Sequence, residues 1–136
     1  MPIVVLVCPR GHWFESVGSV GGRHPSTGRV VVTNAANRRI LAAIASANAT
    51  EQPVKMGVSV EDASRYGWPG EKLLPKSVSD RVFTAISNLR KLGLRGVLTR
   101  REDGYVLEAD RVTLDSCCAE LGPHDRCPLV PREDEP

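Results

Sequence analysis

The hydrophobic positions change period along the chain. Residues 2–8, PIVVLVC, form an unbroken, largely β-branched run that suits a buried strand, and residues 12–17, HWFESV, form a second strand candidate with weaker alternation. Residues 18–28, GSVGGRHPSTG, are dense in Gly, Pro and Ser and predict a turn or loop, after which RVVVT is a further short strand. A small N-terminal antiparallel sheet of two to four strands is therefore expected. From Thr33 the spacing becomes helical. Ala36, Ile40, Leu41, Ile44 and Ala47 share one face, Thr33 or Asn34 can cap the start, and the helix ends near Asn48.

Ser59 followed by Asp62 resembles a capping box and opens a second, short helix that Gly67, Pro69 and Gly70 stop. Pro75 marks the edge of a third. In it Val82, Ile86, Leu89 and Gly93 make a narrow core-facing stripe, while Asp80, Thr84, Ser87, Asn88 and Lys91 cluster on the opposite side with Arg81 at the margin. VLTRRE and YVLEA then predict a hairpin joined at Asp103-Gly104. From Asp115 onward six acids stand against Arg126 and Arg132, which predicts a domain over 1–114 and a loosely ordered acidic tail over 115–136.

Composition adds bounds. At 136 residues, 41% hydrophobic and 25% charged, the chain fits one soluble globular domain. It has no apolar run near the roughly 20 residues that span a bilayer. PIVVLV is too short for a signal-peptide core and lacks a basic flank, so a cytoplasmic location and reduced thiols are expected.

Charge changes the picture more. Residues 76–101 hold seven Lys or Arg against the single acid Asp80, although the whole chain is only +2. Strands, a helix, a short helix, a longer basic helix and a basic hairpin succeed one another in the order of a winged helix-turn-helix, an α+β fold. A helix with a short polar face fits a major groove roughly 12 Å wide, and a hairpin beside it reaches the minor groove or backbone. Positive charge belongs on those two elements.

The segment SDRVFTAISNLRKLGLRGVLTRREDGYVL resembles the end of the OmpR/PhoB-type winged-helix family, the DNA-binding effector domain of many bacterial response regulators. LRKLGL (89–94) and DGYVL (103–107) fall where that family has its helix end and wing strand, and YGWPGE (66–71) resembles the Trp closing its second helix. The resemblance covers about residues 13–114. It lacks a receiver domain with its phospho-acceptor Asp, and the N-terminal PIVVLVCPRGH and the Cys-rich tail lie outside its pattern.

The resemblance implies a transcription regulator that binds double-stranded DNA, as a dimer or in tandem. Its third helix would be the recognition helix, with Arg81, Thr84, Ser87 and Asn88 toward bases or adjacent phosphates and Lys91 on a phosphate. Arg100 and Arg101 match the wing, and Lys76 and Arg95 add to phosphate neutralisation. An alternative is a winged-helix adaptor or anti-regulator that binds a protein through the acidic tail. The opposite charges of tail and helix also suggest an intramolecular contact that masks the DNA face. No membrane partner is expected.

Cys8 and His12 in VCPRGH, with His124 and Cys127 in the tail, offer four ligands that would let a structural zinc clip the tail to the first strand. Cys117 and Cys118, being adjacent, are poorly suited to pairing with each other. Buried or solvent-facing free thiols give the same sequence. No G-x-S-x-G, H-E-x-x-H or Walker-type motif occurs, so catalysis is not expected.

Overall fold

The computed structural model describes residues 4–17, 29–49, 57–118 and 127–128 of the 136. Strand β1, Val4–Val7, buries Val5 and Val7 and pairs antiparallel with β2, Trp13–Val17, with Val7 opposite Phe14. Strand β3, Val30–Val31, extends the sheet beyond β2. The predicted loop over residues 18–28 lies outside the described residues.

The other edge of β1 is taken by a strand that the hydrophobic pattern did not reveal. Strand β6, Arg111–Leu114, runs parallel to β1, with Val4 opposite Arg111 and Val7 opposite Leu114. The sheet, ordered β3-β2-β1-β6, is therefore mixed where an antiparallel one was expected. A parallel pair needs a long crossover, and here the helices and the hairpin all lie within it.

Helix α1, Ala35–Asn48, starts where Asn34 Oδ1 accepts the Asn37 N–H at 3.1 Å. It buries Ile40, Leu41, Ile44 and Ala45, in keeping with the helical spacing. Helix α2, Val60–Gly67, is capped by Ser59, whose Oγ accepts the Asp62 N–H at 3.1 Å, and places Glu61 and Asp62 in its first turn. It packs closely on α1: a Cβ at Gly67 would lie 3.0 Å from Ile40 Cδ1.

Helix α3, Pro75–Leu89, begins with Pro at its first turn and buries Val82, Ala85, Ile86 and Leu89. Gly93 is not part of that buried stripe. The chain leaves α3 through a wide turn, Arg90–Leu94, in which the Arg95 N–H reaches back to the Arg90 carbonyl at 3.1 Å. Gly93 is exposed at φ 146°, a conformation that favours glycine, and Leu94 fills the core instead.

Strands β4, Leu98–Arg101, and β5, Gly104–Leu107, form the predicted hairpin, but Gly104 pairs with Arg101, so the turn is Glu102-Asp103. The shift has a local cause. Val58, ahead of α2, exchanges hydrogen bonds of 2.9 and 2.8 Å with Tyr105, which makes it a third partner of the hairpin. A Cβ at Gly104 would lie 2.2 Å from the Val58 carbonyl oxygen, so only glycine admits this approach. The Gly57 N–H donates to Asp103 Oδ2 at 2.8 Å and pins the turn to the same segment.

One hydrophobic core joins these layers. Val5, Val7 and Phe14 of the sheet meet Ile40, Leu41 and Ile44 of α1, Val82, Ile86 and Leu89 of α3, and Leu98 and Leu107 of the hairpin. At its edge the buried Asn48 accepts the Leu107 N–H at 2.7 Å and ties the end of α1 to β5. A second, smaller cluster forms around Cys8, Trp13, Cys118 and Cys127.

Candidate nucleic-acid interface and candidate metal centre

Helix α3 turns Val82, Ala85, Ile86 and Leu89 inward, so the positions between them meet solvent. Lys76, Asp80, Arg81, Phe83, Thr84, Ser87, Asn88 and Lys91 are all exposed, as are Arg95, Arg100 and Arg101 in the loop and strand beyond. Every residue expected to touch DNA is thus at the surface, but their engagements differ.

Arg100 lies 5.7 Å above the Phe83 ring and 5.8 Å from the Tyr105 ring, which sets the hairpin beside α3. Lys76, Lys91, Arg95 and Arg100 have no carboxylate partner within 4 Å among the described residues. Arg81 instead faces Glu71 at 3.7 Å and stacks on Trp68 at 5.5 Å, so it braces the α2–α3 turn. Arg101 makes a two-pronged ion pair with Glu108, at 2.6 and 2.8 Å, which raises the Arg101 pKa further. Thr84 donates its hydroxyl to the Asp80 carbonyl one turn back.

Sequence reasoning missed Phe83. It is 43% exposed on the outer face of α3, and its signal was available, because Val82 beside it already claims the core. The acids Glu102 and Asp103 form the turn of the hairpin, so its positive charge sits along β4 and not at the tip.

The second site is at the end of the four-stranded sheet. Strands β1 and β6 run the same way and finish level, Val7 opposite Leu114, so the two segments that leave them emerge side by side. The Asp115 N–H carries the ladder one step further by donating to the Val7 carbonyl at 2.9 Å. Cys8 comes directly after β1, and Cys117 and Cys118 come shortly after β6. Cys127 completes a group in which all four sulfurs lie within 4.8 Å of one another.

Three of these side chains are fully enclosed: Cys8, Cys118 and Cys127 expose 3% or less. Sulfur–sulfur distances are 3.4 Å for Cys8–Cys118, 3.6 Å for Cys117–Cys127 and 3.8 Å for Cys117–Cys118, and none of the four cysteines is in a disulfide. Burial, then the neighbouring thiols, pushes the Cys117 pKa up to about 12 and that of Cys118 higher still. Such thiols are not poised as nucleophiles.

His12 stands beside this group. Its Nδ1 is 3.5 Å from Cys8 Sγ and 3.6 Å from Cys118 Sγ. The tight turn that brings it there closes with the Gly11 N–H on the Cys8 carbonyl at 2.8 Å, and needs Gly11 at φ 75° against the Arg38 backbone. Burial and the nearby Arg38 and Arg10 lower the His12 pKa, so the ring stays neutral at pH 7.

Of the set Cys8, His12, His124 and Cys127, the structure brings together Cys8 and Cys127, with His12 at their side; His124 lies outside the described residues. Cys117 and Cys118 take the places assigned to the histidines. The reason is topological: parallel pairing of β1 and β6 delivers two neighbouring cysteines to Cys8. The expected boundary at Leu114 coincides with the end of β6, but Asp115–Cys118 and Cys127 are packed against the sheet.

No helix among the described residues is long and apolar enough to cross a membrane. Compared with protein-family models, curated proteins and solved structures, the chain matches none.

Proposed function

We propose that the protein binds double-stranded DNA as a winged helix-turn-helix regulator, with α3 in the major groove and the β4–β5 hairpin as its wing. The observation that carries this reading is the Arg100 contact, which seats the hairpin against the exposed face of α3. Two further features support it. Val58, from ahead of α2, bridges to Tyr105 and holds the wing against the helices, and α2 packs against α3 as the first helix of a helix-turn-helix would. The resemblance to OmpR/PhoB-type domains in residues 13–114 points the same way.

The roles divide by engagement. Lys76, Lys91, Arg95 and Arg100 neutralise phosphates, because none of them is held by a carboxylate among the described residues. Ser87 and Asn88 reach base edges, and the Phe83 ring offers an apolar surface to a thymine methyl. Arg81 and Arg101 position the surface through Glu71 and Glu108.

Anisotropy titration of full-length protein into random-sequence duplex tests this. Four phosphate contacts predict a slope of log K against log salt of about −3.6, and a full set of six would give about −5.4. Absence of binding at low salt to both the full chain and a chain ending at Pro128 would refute the reading and leave the exposed face for a protein partner.

A further inference from the structure

The geometry points to a tetrahedral, all-thiolate zinc site formed by Cys8, Cys117, Cys118 and Cys127, with His12 as an outer hydrogen-bond donor. A tetrahedron with zinc–sulfur bonds of about 2.3 Å has sulfur–sulfur edges of about 3.8 Å. Three of the six edges, at 3.4, 3.6 and 3.8 Å, lie near that figure, and all four sulfurs are within 4.8 Å of one another, so a single ion can draw them into a tetrahedron. Four thiolates leave no open position, which makes the site structural and not catalytic.

The alternatives fit less well. A pair of disulfides would pull the four sulfurs into two separate couples, whereas here Cys117 approaches both Cys118 and Cys127. A reactive or redox-sensing thiol needs access to solvent, and Cys8, Cys118 and Cys127 are enclosed. Plain hydrophobic burial explains one cysteine at a time, not the convergence of all four from three separate segments of the chain.

Zinc binding expels the thiol protons to solvent and leaves a centre of net charge −2. The surroundings suit that charge. His12 Nδ1–H can donate to the sulfurs of Cys8 and Cys118, and Arg10 and Arg38 line the groove of ≈ 830 Å³ that also contains His12. The role of the site lies in its place: it fastens residues 115–118 and Cys127 to the end of β1, where Trp13 and Leu6 pack against them.

Zinc analysis of the full-length protein, purified with no metal added, is the test, with thiol reactivity measured alongside. The expected result is one zinc per chain, held with a Kd tighter than about 0.1 µM against a competing chelator. The four thiols should be protected until the chelator is added. Cobalt(II) should then enter with the visible absorption of tetrahedral thiolate coordination and quench Trp13.

Because Cys8→Ser alters a fully buried position and risks misfolding, the half-buried Cys117→Ser provides the second variant. It should keep its circular dichroism and lose at least tenfold in zinc affinity. His12→Gln should retain stoichiometric zinc at reduced affinity. A chain that takes up no zinc with all four thiols reactive, one that carries disulfides, or one that purifies with iron would each overturn the assignment. Zinc binding is measured independently of DNA binding, so failure of either reading leaves the other standing.

Discussion

Helix α3 with its hairpin, and the thiol-bearing end of the four-stranded sheet, use polar residues in opposite ways. The first presents Lys76, Lys91, Arg95 and Arg100 to water from a run of 26 consecutive residues, 76–101. The second gathers four sulfurs from distant parts of the chain, Cys8 and Cys118 being 110 residues apart, and encloses three of them. Exposed cations cost little to display and are worth little to stability, so that surface is free to vary without loss of the fold. Enclosed thiols gain little from one another, so their convergence implies something that holds them together. Among the described residues the thiol group belongs to a cluster separate from the core under α3, which is why each region can be broken separately.

The largest expected effect is on the sheet end. Chelation of the metal should release the segment after Leu114 and cost several kcal/mol, a fall in thermal midpoint of roughly 10 °C or more. DNA affinity per folded molecule should change far less. Circular dichroism melts with and without chelator, then titration at a temperature where both forms are folded, would check this.

Next is Gly104→Ala. A Cβ there meets the Val58 carbonyl at 2.2 Å, and the backbone at φ 133° is itself unfavourable for alanine, so a loss of about 3 kcal/mol is expected in urea unfolding. This change should damage the hairpin surface and spare zinc content, the reverse of chelation. Asn48→Ala should cost about 1–3 kcal/mol by depriving the buried Leu107 N–H of its acceptor. Equal loss of zinc in either variant would show that the two regions are more tightly coupled than their separate clusters indicate.

The smallest effects on stability, and the most informative about the surface, come from two neighbouring arginines. Arg100→Ala should lower the salt slope of DNA binding by about 0.9 and shift stability by less than about 0.5 kcal/mol. Arg101→Ala should leave the slope nearly unchanged, because Glu108 already holds its guanidinium. If the two variants behave alike, the division between phosphate-binding and positioning cations fails.

Legibility in the sequence divides along the same line. The Asn34 and Ser59 caps, Pro75 at the start of α3 and the buried stripe of Val82, Ile86 and Leu89 are local signals, each settled within a few residues, and each is found in place. Strand β6 was not legible because RVTL is short and comes just after a hairpin, and its partner is at the other end of the chain. With β6 not visible in the pattern, nothing in the sequence brings Cys117 and Cys118 to Cys8. Likewise, a lone bridging residue such as Val58 carries no periodicity, so the register of the hairpin turn moved by one residue.

The parallel seating of β6 on β1 also bears on how the molecule is made. During synthesis Val4–Val7 is made before residues 111–114, so the edge of β1 that β6 covers cannot be closed by β6 until those residues have left the ribosome. Pairing across so long a separation is slow to find, so this edge stays open to other chains while the residues between the two strands are made. Among the described strands, the last to appear is the one that shields the first.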